Sequence, residues 1–509
     1  MYSKVISCGV LGIGGIITYV EADTGRGIPG YLMVGNLSNS VREAGQRVRT
    51  AIKNSGIHIK PKKITVNISP ADIKKEGSGY DLPIAIAILK TLEIIKCDFI
   101  ENYAFIGELN LSGDVLGVRG ILSMVSKLKE EGIKGVFVSI ANAQEALVVE
   151  GLDVVAVQSI NEILEMLKSE ESFLSFPRPK RNNNHKIEKY NIDFADVNGQ
   201  IILKRACEIA VAGFHNILMS GPAGTGKTMI AKRIPTIMPD LTLEESIEIT
   251  KVYSIAGLLK DGNLIKTRPF RSPHHSISTY SLIGGGSYPR PGEISLASNG
   301  VLFLDEIPLF SKIAIENLRQ PLEDKFITIT RLKGSFDYPA NFMLVAAMNP
   351  CPCGYFPDRN KCNCTERDIR KYQRGLSKPI LERIDICAES CPIRFDELSE
   401  NKANEKSEDI KKRITLARNI QKERFKNYHN INFNAQMTVK EIKKFCILSD
   451  NDNDFLKDIF KSKKLSARTY HKTLKVARTI ADLAGKENID RDALIEASNF
   501  RGLEEQIYA

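Results

Sequence analysis

The chain has 509 residues, with 71 Lys and Arg against 61 Asp and Glu for a net charge of +10, ten cysteines and no tryptophan. At about 150 residues per domain this length suits roughly three domains, each large enough to bury its own core. No apolar run reaches the roughly 18 residues a membrane-spanning helix needs, and the cysteines, without secretory features, point to reduced thiols in a cytoplasmic protein with no membrane partner. The positive excess is compatible with a polyanionic partner and equally with solvated helix surface.

Residues 1 to about 165 mix apolar runs such as Lys63–Ile68 with helical stretches such as Leu82–Leu92, an α+β pattern, and glycines break the opening run Val5–Val20 into two short strands. From 166 to 193 periodicity fades into the polar, proline-interrupted stretch around Phe176-Pro177-Arg178-Pro179, which reads as a linker. Residues 194 to 395 alternate strand-like runs (Asn216–Ser220, Gly300–Leu304, Phe342–Ala347) with helices, so a parallel sheet flanked by helices is predicted. Residues 396 to 509 carry long charged helical patterns, Asn404–Arg424 and Ala467–Leu483, almost free of Pro and Gly, and predict an all-helical third unit.

The most specific motif is Gly221-Pro222-Ala223-Gly224-Thr225-Gly226-Lys227-Thr228, a phosphate-binding loop with every fixed position filled, following the apolar run Ile217-Leu218-Met219. Its glycines let backbone N–H groups close around the polyphosphate of ATP, Lys227 neutralises the β and γ phosphates, and Thr228 offers a hydroxyl to Mg²⁺ at a helix start. Asp305 and Glu306 end the run Gly300–Leu304. Asp305 is placed to hold Mg²⁺ through water, and Glu306 to polarise the water that attacks the γ-phosphate. Asn349, after Met343–Met348, is placed to orient that water from the opposite side.

With these strand ends the chain resembles an AAA+ ATPase, Asn349 standing in the sensor-1 position. Longer matches narrow the resemblance: Arg271-Ser272-Pro273-His274-His275, Pro291–Ala297, Ala346–Gly354, Glu382-Arg383-Ile384-Asp385 and Leu465–Arg468 resemble the magnesium-chelatase-like YifB/ComM family over nearly the whole chain. Ser298 and Glu382 depart from the family pattern, which has His and Asp there. The resemblance implies an α/β protein with a Lon-protease-like α+β first domain, a central AAA+ P-loop domain and a C-terminal helical lid. It also implies ATP hydrolysis in a homo-oligomer, a hexameric ring, with Arg383 as arginine finger and Arg468 as the sensor-2 arginine on the lid; surface ion pairing is the alternative for either arginine. The implied work is remodelling of, or translocation on, single-stranded or branched DNA, as in branch migration during recombination or natural transformation. The alternative is a magnesium-chelatase-type motor that remodels a partner protein, against which the Lon-like front domain weighs.

Cys351, Cys353, Cys362 and Cys364 form C-x-C-x₈-C-x-C directly after the sensor run. Four thiolates in so short a loop can close a tetrahedral structural Zn²⁺ site, with free thiols or a disulfide as the alternative. Arg271, His274 and His275, interleaved with Arg268, Tyr280, Tyr288 and Arg290 around Gly284-Gly285-Gly286, suit a hinged contact to DNA, or equally subunit packing or internal hydrogen bonds. Lys325–Tyr338 reads as a hairpin with Arg331 and Lys333 at its tip. In ring ATPases of this branch such a hairpin points into the pore, where the two would meet DNA; a solvated turn is the alternative. Gly107–Val118 and Lys75–Leu82 resemble the proteolytic domain of Lon-type proteases, whose Ser–Lys dyad falls here on Gly79 and Leu122. No peptidase activity is expected, the remaining alternative being a shifted dyad of Ser78 and Lys127.

Overall fold

The computed structural model describes residues 1–182, 190–259, 262–286, 289–331, 334–392, 404–428, 431–462 and 466–501. The front unit is built on a seven-stranded sheet with the spatial order Gly30–Val34, Lys63–Ser69, Gly14–Gly25, Tyr2–Leu11, Tyr103–Phe105, Gly135–Ser139 and Asp153–Val157. Period-two alternation buries Ile64, Val66 and Ile68 from the second of these strands in one core with Val41, Ala44, Val48 and Ile52 of helix Asn39–Asn54. Helix Asp81–Thr91 is buried almost throughout, and its one carboxylate, Asp81, takes Arg47 through Nε at 3.0 Å and Nη2 at 2.9 Å and the Leu109 N–H at 3.2 Å.

The opening of the chain differs from the expectation of two short strands: Tyr2–Leu11 and Gly14–Gly25 form one long hairpin paired in register from Tyr2↔Asp23 to Leu11↔Gly14. Gly9 does not break it. A Cβ there would lie 2.3 Å from the Tyr80 hydroxyl, so the glycine makes room for a ring rather than for a turn. The stretch after residue 166 also carries structure, a short helix Glu170–Ser175 whose Phe173 packs tilted against Phe99 and edge-on against Tyr103, each at 5.3 Å, while Arg178 covers Phe173 and pairs with Asp153 at 2.8 Å. A single aromatic anchor in a polar run leaves no periodicity to read.

The central unit is a five-stranded, all-parallel sheet in the order Phe270–Arg271, Val301–Leu304, Met343–Met348, Ile217–Ser220 and Ile386–Glu389. Helices Ile201–Gly213, Ser407–Arg424 and Ala467–Leu483 close one face of it, and their apolar side chains form a single core with the sheet. The third unit therefore shares a core with the central unit; His215, wholly buried, bonds Thr479 across that contact at 2.8 Å. Among the described residues no helix is long and apolar enough to cross a membrane.

The front and central units meet at a buried carboxylate. Glu145 accepts the Leu122 N–H at 2.9 Å and the Ser254 hydroxyl, and Ser254 Oγ in turn accepts the Gly120 N–H at 2.8 Å. The two dyad positions are thus spent otherwise: Leu122 is a core side chain, and a Cβ on Gly79 would face Ile106 and Val118 at 3.6 and 3.7 Å. Lys127 is no substitute, because its amine is bound to Glu131 at 2.6 Å, which raises its pKa, the opposite of what a lysine base needs. The full-length protein is expected to leave casein intact with or without ATP; ATP-dependent loss of casein that disappears in Ser78→Ala would overturn this.

Candidate ATPase site

Parallel pairing sets the geometry. Ser220 lies opposite Met348 and Leu304 opposite Ala346, so the phosphate loop, the Asp305-Glu306 pair and Asn349 all leave the same carboxyl edge of the sheet. Gly221 has φ 151°, and a Cβ there would lie 2.1 Å from Ser390 Oγ and 2.5 Å from its carbonyl oxygen. Gly224 and Gly226 are left-handed at 79° and 85°, and Gly226 opens helix Lys227–Ile237, which turns consecutive N–H groups and the helix dipole toward a bound anion.

Lys227 is 7 % exposed, and its Nζ donates to the Gly221 and Pro222 carbonyls at 2.7 and 2.8 Å and to Asn349 Oδ1 at 3.2 Å. Burial pushes its pKa down to about 8 against the opposing pull of Asp305 and Glu306. Thr228 Oγ1 donates to Asp305 Oδ2 at 2.7 Å, placing together the hydroxyl and carboxylate that would hold Mg²⁺. Glu306 sits at φ 50°, a left-handed turn that costs a non-glycine residue about 1–2 kcal/mol. Its amide is fixed by Asp305 Oδ1 at 3.0 Å. The site thus assembles the expected residues: the loop from Gly221 to Thr228, the two carboxylates and Asn349.

Two supports escape sequence reasoning. Ser390, just after strand Ile386–Glu389, donates its N–H to the Ser220 carbonyl at 2.7 Å and pairs its hydroxyl with Thr225 Oγ1 at 2.7 Å, bracing the phosphate loop from the next strand. Gly354, inside the cysteine loop, accepts the Ala223 N–H at 3.2 Å. A lone serine and a lone glycine carry no motif; only strand order reveals them.

The four cysteines do converge. All four Sγ atoms lie within 4.8 Å of one another, with Cys351–Cys353 at 3.3 Å, Cys353–Cys362 at 3.5 Å and Cys351–Cys362 at 3.8 Å. A tetrahedral Zn²⁺ with Zn–S near 2.3 Å requires S···S near 3.8 Å, so the cluster fits that ion. The Phe356 N–H points at Cys351 Sγ at 3.4 Å, as suits a thiolate ligand.

Arg383 and Arg468 lie elsewhere. Arg383 immediately precedes strand Ile386–Glu389, and with Arg468 it lines a cleft that also contains Asn216, Asn341 and Asp385, each just before a strand of the same sheet. This is the amino edge, about 13 Å of four-residue strand away from the phosphate loop. The two arginines share an anion: Glu323 Oε1 lies 2.6 Å from Arg383 Nη2 and 3.7 Å from Arg468 Nη2.

Of the expected nucleic-acid contacts, Arg271 is occupied by a two-pronged pair with Glu293 at 2.6 and 2.7 Å, which neutralises its charge. His274 and His275 pack against each other with tilted rings at 4.0 Å, and His274 Nδ1 is bonded to Ser276 Oγ at 2.8 Å. The hairpin exists as Phe326–Arg331 paired with Gly334–Pro339. Tyr338 on it donates to the Pro289 carbonyl at 2.7 Å, which ties the hairpin to the glycine-hinged loop. Lys333, Tyr288 and the Arg331 side chain lie outside the described residues.

Residues 193–398 match the family model described as magnesium chelatase, subunit ChlI, residues 404–501 the one for the ChlI C-terminal part, and residues 20–142 the one described as subunit ChlI of Mg-chelatase. With the geometry above, these define a magnesium-chelatase-like AAA+ ATPase. Competence protein ComM of Haemophilus influenzae is 38% identical over 98% of this chain and 97% of its own length, and uncharacterized protein YifB of Escherichia coli K12 is 39% identical over 97% and 96%. The chain belongs to the YifB/ComM family. Archaeal Lon protease of Methanocaldococcus jannaschii is 27% identical over 22% of the chain and 17% of its own length, in keeping with a Lon-like front unit. Because a ChlI model also covers residues 20–142, that front unit no longer separates the DNA and chelatase readings.

With its pKa near 8, Lys227 is mostly charged at pH 7 and loses its proton progressively above pH 8. A bound polyphosphate raises its pKa, so ATP affinity is expected to be highest below pH 8 and to weaken by up to about tenfold per pH unit above it, with proton uptake on binding. Calorimetry in buffers of different ionisation enthalpy checks this; affinity that stays flat from pH 7 to 9.5 contradicts it.

Proposed function

We propose that the chain is one subunit of a homo-oligomeric ring, hexameric as the family resemblance implies, that works in the cytoplasm and hydrolyses ATP to remodel or translocate on DNA. The observation that carries this reading is that Lys227 lies at the carboxyl edge of the sheet and Arg383 and Arg468 at its amino edge. At the carboxyl edge Thr228 and Asp305 would hold Mg²⁺, which would offset phosphate charge, Lys227 would bind the β and γ phosphates, Asn349 would position the water and Glu306 would take its proton as it attacks phosphorus. Charge growing on the transferred phosphoryl calls for more cations than Lys227. Arg383 and Arg468, unable to reach it within their own subunit, meet it when subunits pack head to tail, which is the arrangement that closes rings.

DNA as the object of the motor is supported by the net charge of +10, by the hairpin and glycine-hinged loop joined through Tyr338, and by a full-length relative named as a competence protein. Branch migration in recombination or natural transformation is the corresponding process. The runner-up, a chelatase-type motor acting on a partner protein, is favoured by the descriptions of all three matching family models. ATPase rates with single-stranded, double-stranded and forked DNA across a salt series separate the two. Stimulation by DNA that falls steeply with salt is expected, since phosphate contacts release counterions; no response to any DNA moves the assignment to protein remodelling.

Arg383→Ala is expected to lower kcat by about 10³-fold or more while leaving ATP binding unchanged, as loss of an arginine finger does. Normal turnover in this variant refutes the shared site.

A structural Zn²⁺ on Cys351, Cys353, Cys362 and Cys364 belongs to the same reading, holding the loop that contacts Ala223. Protein purified under reducing conditions is expected to carry one zinc per chain. Cys362→Ser should lose it and bind ATP about three- to tenfold more weakly, the worth of roughly one hydrogen bond to the phosphate loop. Metal analysis that finds no zinc removes the assignment.

A further inference from the structure

Arg383 is not presented openly at the amino edge. Its side chain is only 10 % exposed, Nη1 donates to the Pro379 carbonyl at 2.7 Å, and Nη2 is paired with Glu323 Oε1 at 2.6 Å. Its Nε is buried with no hydrogen-bond partner among the described residues. Arg468 approaches the same Glu323 oxygen at 3.7 Å and reaches Glu382 Oε2 at 3.3 Å. One carboxylate oxygen thus occupies the point on which both guanidinium groups converge. It comes from the last turn of helix Arg319–Asp324, directly before the hairpin.

We propose that Glu323 is a positioning residue that holds Arg383 and Arg468 back in the unassembled subunit and gives them up to the γ-phosphate of the neighbouring subunit's nucleotide when the ring closes. This rests on the reading of Arg383 as an arginine finger. Three features fit an exchangeable anion rather than a permanent brace. Glu323 is half exposed although Arg383 is largely buried, so an incoming anion can reach the pair from the carboxylate side. A phosphoryl group carries more charge and more acceptor oxygens than a carboxylate, so it competes well for two guanidiniums. The unpartnered Nε means that the resting pose leaves one Arg383 donor without reward, and moving outward gives it an acceptor. The consequence is a motor that stays idle until a nucleotide-loaded neighbour docks.

The test is the ATPase rate of the full-length protein as a function of protein concentration, for the wild type, Glu323→Gln, Arg383→Ala and the double variant. Glu323→Gln keeps the shape and removes the charge, and it should reach half-maximal rate at a protein concentration about two- to fivefold lower, the factor an exposed ion pair supplies. The double variant should be as slow as Arg383→Ala, because Glu323 acts only through the arginines. An unchanged concentration dependence in Glu323→Gln, or a slower maximal rate at unchanged half-maximal concentration, overturns the proposal. Normal turnover in Arg383→Ala overturns instead the finger assignment beneath it, whatever Glu323→Gln does. Melting temperatures are measured alongside. If Glu323→Gln is destabilised, Glu323→Asp carries the test: one methylene shorter, it should shift the half-maximal concentration in the same direction, and no shift overturns the proposal.

Discussion

Everything catalytic in this chain depends on the register of one strand. Ile217–Ser220 is paired on one side with Met343–Met348 and on the other with Ile386–Glu389, all parallel, so the loops that leave their carboxyl ends must meet. The same pairing sends the segments entering the strands, including the one that carries Arg383, to the opposite edge. A slip of one residue would reverse the face of every side chain in the strand and detach Ser390 from the phosphate loop. With both sheet faces covered, polar alternation cannot set this register; contacts at the strand ends pin it, Asn216 donating to the Arg383 carbonyl and accepting the Leu344 N–H, each at 3.0 Å, and the Ser390 N–H donating to the Ser220 carbonyl at 2.7 Å.

The nucleotide site also depends on a part of the chain that does no chemistry. The cysteine loop meets the phosphate loop backbone to backbone, Ala223 to Gly354, with Gly354 held left-handed at φ 82°. A Cβ there would come within 3.1 Å of the Ala223 Cβ. Placement of the loop is therefore coupled to the phosphate cradle through a backbone hydrogen bond that leaves no room for a larger residue at Gly354.

Much of the site was legible in the sequence because phosphate binding demands fixed residue types at fixed spacings: the loop from Gly221 to Thr228, Asp305, Glu306 and Asn349 were all found from local pattern. The fold class followed from alternation of apolar runs. What escaped was non-local. Ser390 and Gly354 act through strand order, Glu323 through a cleft between distant segments, and Glu293 through its capture of Arg271, for which DNA contact and internal bonding read equally well. Helix Glu170–Ser175 escaped because one phenylalanine does its packing. The long opening hairpin escaped because Gly9 is present to admit Tyr80, not to end a strand.

Where the Lon-type fold would keep a lysine for cutting peptides, this chain has Leu122, whose backbone shares Glu145 with Ser254 of helix Leu243–Ala256 in the ATPase unit. That carboxylate is buried, and its pKa is raised by burial, so separating the two units exposes or orphans an acidic group together with the hydroxyl bound to it. Three hydrogen bonds through Glu145 and Ser254 tie helix Leu243–Ala256 to the start of helix Ile121–Glu130, so the position that reads as a dyad lysine lies here in the seam between the two units.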